Sequence, residues 1–195
     1  SGPLPYRTIR QGRDLQIWIA EGRVARSANT DPDGPNKTIL GAAQKAWLFK
    51  TVRESGATFK VLLSPTPIVG PDRGNKRDNH ANTGFRTEGD ELRRFIGTQP
   101  NMIVICGDRH WQYRSVDPVS GTREFGCGPS SDVHAGGYTP QPGDEAVQKF
   151  FRLKGGFLTV AVERVAGGPV MHVRHHDVAG AVVNETPLTP ARSAR

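Results

Sequence analysis

The sequence lacks any long hydrophobic run. None of its 195 residues lies in a segment approaching the roughly 18 to 20 apolar residues of a transmembrane helix. It also lacks a basic start followed by an apolar stretch, the pattern of a secretory signal peptide. We therefore expect no membrane span, while the missing signal pattern leaves export open for a mature or partial chain.

Cysteine is scarce as well, since the chain has only Cys106 and Cys127. Two cysteines do not make a disulfide framework. Cys106 falls inside a strongly apolar segment and Cys127 ends another predicted strand, so both fit ordinary buried thiols. A disulfide between them or a metal thiolate is the alternative.

Clusters of basic residues are absent too, although the net charge is +7 and the isoelectric point is near 9.8. This charge favours anionic partners. The Lys and Arg residues are dispersed, without the basic runs or aromatic-basic ladders of nucleic-acid binders. We therefore expect an anionic ligand but no nucleic acid as a specific partner.

The composition indicates long loops around a modest core. Apolar residues make up 35% of the chain, whereas Gly and Pro number 23 and 15. A chain of this length holds one domain with a substantial core, and barely two. The low apolar content is also compatible with a piece of a larger protein.

The apolar patterns predict an α/β fold in which βαβαβ units precede antiparallel strands. We expect a first strand at 15–20, a helix from Thr38 to Ser55-Gly56, a strand at 58–63, a helix at 88–96 and a strand at 102–106. A hairpin of 111–116 with 123–127 and an antiparallel meander at the sheet edge, with strands at 157–162, 170–174 and 181–183, complete the expected elements. We divide the chain into an entry segment (1–14), one domain (15–185) and a disordered tail (186–195).

The central candidate site follows the strand at 102–106. This apolar run fits a strand buried on both faces, and Gly107 ends it. Asp108 and His110 come next, and side chains two residues apart in an extended segment point the same way. A carboxylate and an imidazole at the carboxyl end of a buried strand suit a divalent or trivalent metal. The alternative is that Asp108 caps the turn and His110 stacks on Trp111.

Three other segments could reach the same edge of the sheet. The polar loop at 72–84 leaves the strand at 58–63 and contains Asp78, Asn79 and His80. Long loops without secondary structure are often functional, although a solvated loop is the alternative. Arg23 follows the first strand, where it binds an anion or is simply solvated. His134, two residues after Asp132, lies in a Gly/Ser loop that forms a lid or second polar wall if it folds over this edge. The alternative is that Asp132 and His134 have only a structural role.

Four motifs in this order resemble the PhoD-like alkaline phosphatases, a branch of the metallophosphoesterase superfamily. They are Gln44-Lys45-Ala46-Trp47-Leu48, Lys60-Val61-Leu62-Leu63-Ser64-Pro65, Asp78-Asn79-His80 and Gly107-Asp108-Arg109-His110-Trp111. The resemblance covers the C-terminal half of such an enzyme. It implies part of a four-layer α/β/β/α sandwich and hydrolysis of a phosphoester at a site with two or more metal ions, with iron, calcium, zinc and manganese as candidates.

The resemblance also implies roles for individual residues. Asp108 and His110 match the last metal-ligand motif of the family. The expected catalytic residues are His80, Asp78 and Arg109, and the expected substrate-binding residues are Asn79, Arg23 and His134. The missing N-terminal half would supply the remaining ligands, and the family suggests a periplasmic or secreted protein. The alternative is a non-catalytic half-domain that binds an anion or a partner chain.

Overall fold

A seven-stranded mixed sheet forms the centre of the molecule in a computed structural model that describes residues 4–190. Its strands are β1 (Arg7–Gln11), β2 (Leu15–Ile19), β3 (Phe59–Ser64), β4 (Met102–Cys106), β5 (Gln112–Val116), β6 (Arg123–Cys127) and β7 (Gln148–Arg152). The spatial order is β1-β2-β3-β4-β6-β5-β7. Strands β2, β3, β4 and β6 are parallel, whereas β1, β5 and β7 pair antiparallel with their neighbours.

The parallel strands bring their carboxyl ends to one edge of the sheet. Ser64, the last residue of β3, pairs with Cys106, the last residue of β4, and Cys106 pairs in turn with Gly126 of β6. The loops after β2, β3, β4 and β6 therefore leave from the same edge, as the sequence predicts. The predicted antiparallel hairpin of β5 and β6 is also confirmed.

Two helices, α1 (Ala42–Arg53) and α2 (Arg86–Gly97), contribute to the hydrophobic core cluster that contains Trp18, Leu62 and Val104. Helix α1 begins four residues later than predicted. Gly41 precedes it with φ 77°, a left-handed conformation that glycine adopts without steric cost. Thr38 belongs to the preceding turn, where its Oγ1 accepts a hydrogen bond from the Gly41 amide at 2.7 Å.

The buried face of α1 differs from the expected one. Gln44, Leu48 and Val52 are its buried residues. Trp47, which we expected to anchor the helix on the sheet, is only partly buried, and its ring lies 4.7 Å from that of Tyr6. Trp18 of β2 instead reaches α1, because its Nε1 donates to Thr51 Oγ1 at 2.9 Å.

A second, three-stranded antiparallel sheet contains β8 (Phe157–Val165), β9 (Gly168–His176) and β10 (Val182–Leu188). These strands do not form the predicted meander at the edge of the first sheet. Met171 and Val173 of β9 share a core cluster with residues of β2, β3, β4 and β6, so the second sheet packs on the face of the first. The layers are thus helices, sheet and sheet, which agrees with part of an α/β/β/α sandwich.

His175 is a polar link between the two sheets. Its ring is fully buried, and Nε2 lies 3.2 Å from the carbonyl oxygen of Gly126. Burial lowers the pKa of His175 to about 4, and the nearby Arg114 acts in the same direction, against backbone hydrogen bonds that raise it. The imidazole is therefore neutral at physiological pH and belongs to the core.

The predicted boundaries at both ends need correction. Strand β1 lies within residues 1–14, which we expected to be an irregular entry segment, and β10 continues to Leu188, inside the expected disordered tail. Residues 191–195 of that tail lie outside the described residues. Cys106 and Cys127 are both free thiols, as one of the two interpretations held. Among residues 4–190, no helix has the length and hydrophobicity that crossing a membrane requires.

Candidate functional site at the carboxyl edge of the sheet

The turn after β4 presents Asp108 at the surface and turns the next side chain inward. Asp108 has φ 68°, a left-handed conformation that is uncommon outside glycine and costs free energy. Its side chain is 37% exposed, whereas that of Arg109 is 2% exposed. The chain therefore alternates an accessible carboxylate, a buried guanidinium and an exposed imidazole at positions 108 to 110.

Arg109 connects the turn to the long loop after β3. Its Nη1 donates to Asp108 Oδ2 at 2.7 Å, and its Nη2 donates to Asp72 Oδ2 at 2.8 Å. Asp78 Oδ1 lies 3.7 Å from the same Nη2. A planar guanidinium with several donors suits this bridging of carboxylates. Because the group is buried and paired, Arg109 is placed to position Asp108 rather than to contact a substrate, unlike the catalytic role we expected.

Asn79 is a second internal member of this network. Its side chain is fully buried, and its Nδ2 donates to Asp72 Oδ2 at 2.7 Å and to Asp78 Oδ1 at 2.9 Å. Asn82 Nδ2 lies 3.2 Å from the same two oxygens. The expected substrate contact of Asn79 is therefore not available in this structure. Asp78 keeps 31% of its side chain exposed at the surface of the loop.

His80 lies in the interior and faces helix α2. Its ring is 1% exposed, and Nε2 donates to Glu88 Oε2 at 2.9 Å. Glu88 also accepts hydrogen bonds from the Ile39 amide at 2.6 Å and from Thr38 Oγ1. This cluster joins the loop after β3 to the segment before α1. The structure does not bring His80 to the exposed edge, so the expected catalytic contact is corrected to a structural one.

The charge of Glu88 is well stabilised. Burial raises its pKa, but the hydrogen bond and electrostatic effect of His80, with the hydrogen bonds from Thr38 and Ile39, outweigh burial and lower the pKa to about 2. Lys45 adds an ammonium group 3.7 Å away. The carboxylate therefore remains ionised throughout the physiological range.

His110 is exposed, and its ring makes no hydrogen bond to the part of the chain that the structure describes. Its carbonyl oxygen accepts from the Gly136 amide at 3.1 Å, which brings the loop at 128–137 beside the turn. His134 in this loop is also exposed, with Nδ1 3.1 Å from Ser131 Oγ. Asp132 instead accepts from the Gly155 amide at 2.7 Å, so Asp132 fixes the loop.

The loop after β2 is held to helix α1 by the glutamine of the Gln-x-x-Trp-Leu motif. Gln44 Oε1 accepts from the Glu21 amide, and Gln44 Nε2 donates to the Glu21 carbonyl, both at 2.8 Å. Arg23 follows two residues later, exposed, with a guanidinium that has no hydrogen-bond partner within residues 4–190. The motif thus fixes the segment from which Arg23 emerges.

Arg26 connects this segment to the polar loop. Its Nη2 donates to the carbonyl oxygen of Asp78 at 2.6 Å. Burial and then the charge of Arg23 lower the pKa of Arg26, while the carboxylates of Asp78 and Asp108 raise it. Arg23, Asp78 and Asp108 therefore interact electrostatically with one guanidinium at this edge.

Sequence reasoning missed Glu124, a buried carboxylate in β6. It accepts hydrogen bonds from the amides of Ile68, Val69 and Gly70 at 2.5, 3.0 and 3.1 Å, and from Tyr113 Oη at 2.7 Å. These contacts fix the start of the loop after β3. The only signal in the sequence is an acidic residue in a strand that is otherwise suited to burial.

The described residues do not make a complete metal centre. No group of three or more His, Cys, Asp and Glu side chains between residues 4 and 190 could hold a metal ion. Asp108 and His110 supply an oxygen and a nitrogen donor with exposed side chains two residues apart. They fit the donor chemistry of one part of a centre that needs further ligands.

Comparison with known proteins agrees with this architecture. Residues 4–154 match the PhoD-like phosphatase family. None of the curated proteins is similar enough to the chain to count as a match. Among solved structures, that of PhoD is similar with 18% identity and a TM-score of 0.67, covering 94% of this chain and 40% of that structure.

Two further structures share the fold. The purple acid phosphatase PPD1 from yellow lupin seeds has 11% identity and a TM-score of 0.60, with 94% of this chain and 32% of that one covered. GAP50, described as the anchor in the inner membrane complex of Plasmodium, has 16% identity and a TM-score of 0.60, with coverages of 97% and 54%.

The chain thus spans about a third to a half of the length of these three structures. It has their mixed α/β architecture, with the helices and two sheets described above. Because the family match extends over most of the sequence, the chain belongs to the PhoD-like phosphatase family.

Proposed function

We propose that the chain is the C-terminal part of a metal-dependent phosphoester hydrolase. One observation carries the proposal: in a member of the PhoD-like family, Asp108 and His110 are both exposed in one turn at the carboxyl ends of the parallel strands. Ligands in open α/β sheets bind outside the carboxyl ends of the strands. A periplasmic or secreted location, which the family resemblance suggests, stays a prediction.

Asp108 and His110 would contribute two ligands to the metal centre, and the missing N-terminal half would contribute the others. Iron, zinc, manganese and calcium all remain candidates, because oxygen and nitrogen donors suit each in some combination. Bound metal ions would lower the pKa of water and neutralise charge that develops on the phosphoryl group.

The chain's own residues would support this chemistry from two sides. Arg109 holds the Asp108 carboxylate through a 2.7 Å hydrogen bond and so fixes one donor before any ligand arrives. Arg23 offers an unpaired, exposed guanidinium, a group that binds phosphate oxygens through paired hydrogen bonds. Asp78, which is partly exposed, and His134, which is exposed, lie on the adjoining loops, where they would transfer a proton at the leaving oxygen or contact the substrate.

A non-catalytic half-domain is the second candidate. The absence of a three-residue ligand group among the described residues favours it. GAP50, which shares the fold, is described as an anchor and not by an enzymatic activity. In this alternative the polar edge binds an anion or a partner chain without turnover.

The two candidates differ in the effect of removing both proposed ligands. In the complete protein that carries this chain, changing Asp108 and His110 to Ala together should remove bound metal and lower aryl phosphate hydrolysis by at least about a thousandfold. His172→Ala, on the outer sheet, is the matched control and should retain both. Unchanged metal content and activity in the double variant would contradict the hydrolase proposal, whereas metal-dependent hydrolysis by the isolated 195-residue chain would exclude the non-catalytic one.

A further inference from the structure

A cleft of about 500 Å³ lies beside the candidate site, and we call it the Arg73 cleft. It is lined by Asp72, Arg73, Gly74, Gly137, Tyr138, Thr139, Gln141 and Leu153. Residues from the loop after β3 form one side, and residues that follow β6 form the other. None of them carries a role in the proposed metal chemistry.

Arg73 is the unusual member of this lining. Its guanidinium donates no hydrogen bond to any residue between 4 and 190, and its Nε is buried without a partner. The nearest carboxylate oxygen is Asp72 Oδ1, which lies 3.9 Å from Nε, is too distant for a hydrogen bond and likewise has no partner. Arg73 thus has a long ion pair with Asp72 but no hydrogen bond to the described residues, and an arginine with free donors in a concave surface is available to a ligand.

The opposite wall is aromatic and apolar. The ring of Tyr138 stacks on that of Trp111 with centroids 4.8 Å apart, and the Arg73 guanidinium lies 5.8 Å from the Trp111 ring. Leu153 is 41% exposed. A ligand that packs a flat or apolar part against this wall would leave its polar end near Arg73.

The cleft is connected to the candidate site through one side chain. Asp72 contributes Oδ2 to the hydrogen bond with Arg109, and Arg109 in turn holds Asp108. Asp72 Oδ2 is engaged by Arg109, whereas its Oδ1 has no hydrogen-bond partner among the described residues. Asp144, which does not line the cleft, accepts from Tyr138 Oη and the Gln141 amide. Arg73 is therefore the cationic group of the cleft, and its hydrogen-bond donors are unused within residues 4–190.

We propose that the Arg73 cleft binds the leaving group of the phosphoester and favours one that carries an anionic substituent, which pairs with Arg73. This inference rests on the proposed hydrolase function and adds to it a residue that determines specificity. The planar guanidinium would bind a carboxylate or a second phosphate bidentately, while the organic part packs on Tyr138 and Leu153.

The test uses probes that resemble the released alcohol and contain no phosphoryl group, so that neither metal nor turnover is needed. Binding of 4-hydroxybenzoate and of its neutral analogue 4-hydroxybenzamide to the 195-residue chain is measured by isothermal titration calorimetry. The variants are Arg73→Gln and, as a control, Arg77→Gln, since Arg77 is exposed in the same loop but does not line this cleft.

We expect an anionic probe to bind at least about tenfold more tightly than the benzamide, and this preference to disappear in Arg73→Gln but not in Arg77→Gln. Equal binding of charged and neutral probes, loss of the preference in Arg77→Gln, or no binding of any probe would overturn the proposal. Because hydrolysis is not measured, failure here leaves the result of the Asp108 and His110 experiment to decide the proposed function separately. A circular dichroism melt of each variant verifies that the fold is retained.

Discussion

At the scale of single residues, the sequence shows which side chains could act but not the direction in which they point. Asp78, Asn79 and His80 are consecutive and all suit a polar site, yet the structure exposes the first and buries the other two. The partner that takes His80 inward, Glu88, belongs to the next helix. Whether each side chain is buried or exposed depends on tertiary contacts, which the local sequence pattern does not reveal.

The backbone at Asp108 gives a first prediction. Because φ is 68°, a residue with a Cβ is strained there and glycine is not. Asp108→Gly and Asp108→Ala remove the same carboxylate, so we expect the glycine variant to be more stable by about 1 kcal/mol. Urea unfolding measures this difference.

Asn101, with φ 56°, provides the control pair. Asn101→Gly should exceed Asn101→Ala in stability by a similar amount. Equal stability of the two Asp108 variants, with the expected difference at Asn101, would show that the turn after β4 does not hold this conformation in solution.

The Glu88 carboxyl gives a pH prediction. Its pKa is about 2 in the folded protein, below the ordinary value of 4.5, so its ionisation stabilises the folded state at pH values above about 4.5. This contribution, about 3 kcal/mol, should be lost as the pH falls from 4.5 towards 2. The free energy of unfolding of the wild type should therefore decline across this window more steeply than that of Glu88→Gln.

Glu54→Gln is the matched control, because Glu54 is exposed and its ammonium partner, Lys50, is 4.0 Å away. It should follow the wild-type pH profile. If Glu88→Gln and the wild type lost stability in parallel between pH 4.5 and 2, the buried His80 and Glu88 pair would not carry the effect.

At the scale of secondary-structure elements, the sequence predicts the central strands and helix α2 well, whereas the start and the buried face of α1 differ from those expected. The well-predicted elements show their burial in the local sequence: β2, β3 and β4 are apolar runs, and α2 has an amphipathic pattern. Strand β1 was missed because all five of its residues are exposed, so no alternation marks it. We expected the three C-terminal strands at the edge of the first sheet. A sequence pattern does not show whether such strands hydrogen-bond to the edge of a sheet or form a second sheet that packs on its face.

Glu124 supplies a prediction at this scale. Its carboxylate accepts hydrogen bonds from three backbone amides of the loop after β3. Glu124→Gln would replace one accepting oxygen with an NH₂ group, which donates hydrogen bonds and cannot accept them from these amides. We expect the free energy of unfolding to fall by about 2 to 4 kcal/mol, since buried backbone amides would lose their hydrogen-bond acceptor. Amide hydrogen exchange at Ile68, Val69 and Gly70 should become faster.

Glu163→Gln serves as the comparison, because Glu163 is exposed on β8 and makes no ion pair with the described residues. It should change neither stability nor exchange by a measurable amount. Unaltered protection of residues 68–70 in Glu124→Gln would mean that the loop is held by other contacts.

At the scale of the whole molecule, the fold places several loops of unlike chemistry at one edge. Asp108 and His110 come from the turn after β4, Arg23 from the segment after β2, and Asp78 from the loop after β3. The parallel arrangement that gathers them follows from the βαβ pattern and was predictable. The role proposed for Arg73 was not, because the absence of a hydrogen bond from Arg73 to residues 4–190 is a property of the folded cleft.

The central claim is that Asp108 and His110 are metal ligands. It is tested most directly by titrating the isotope-labelled 195-residue chain with Mn²⁺ and following amide signals by NMR, a measurement suited to the weak binding expected of an incomplete ligand set. We expect paramagnetic broadening centred on residues 107–111, which disappears when both residues are changed to Ala and persists in His172→Ala. Broadening centred elsewhere, or unchanged in the double variant, would contradict it.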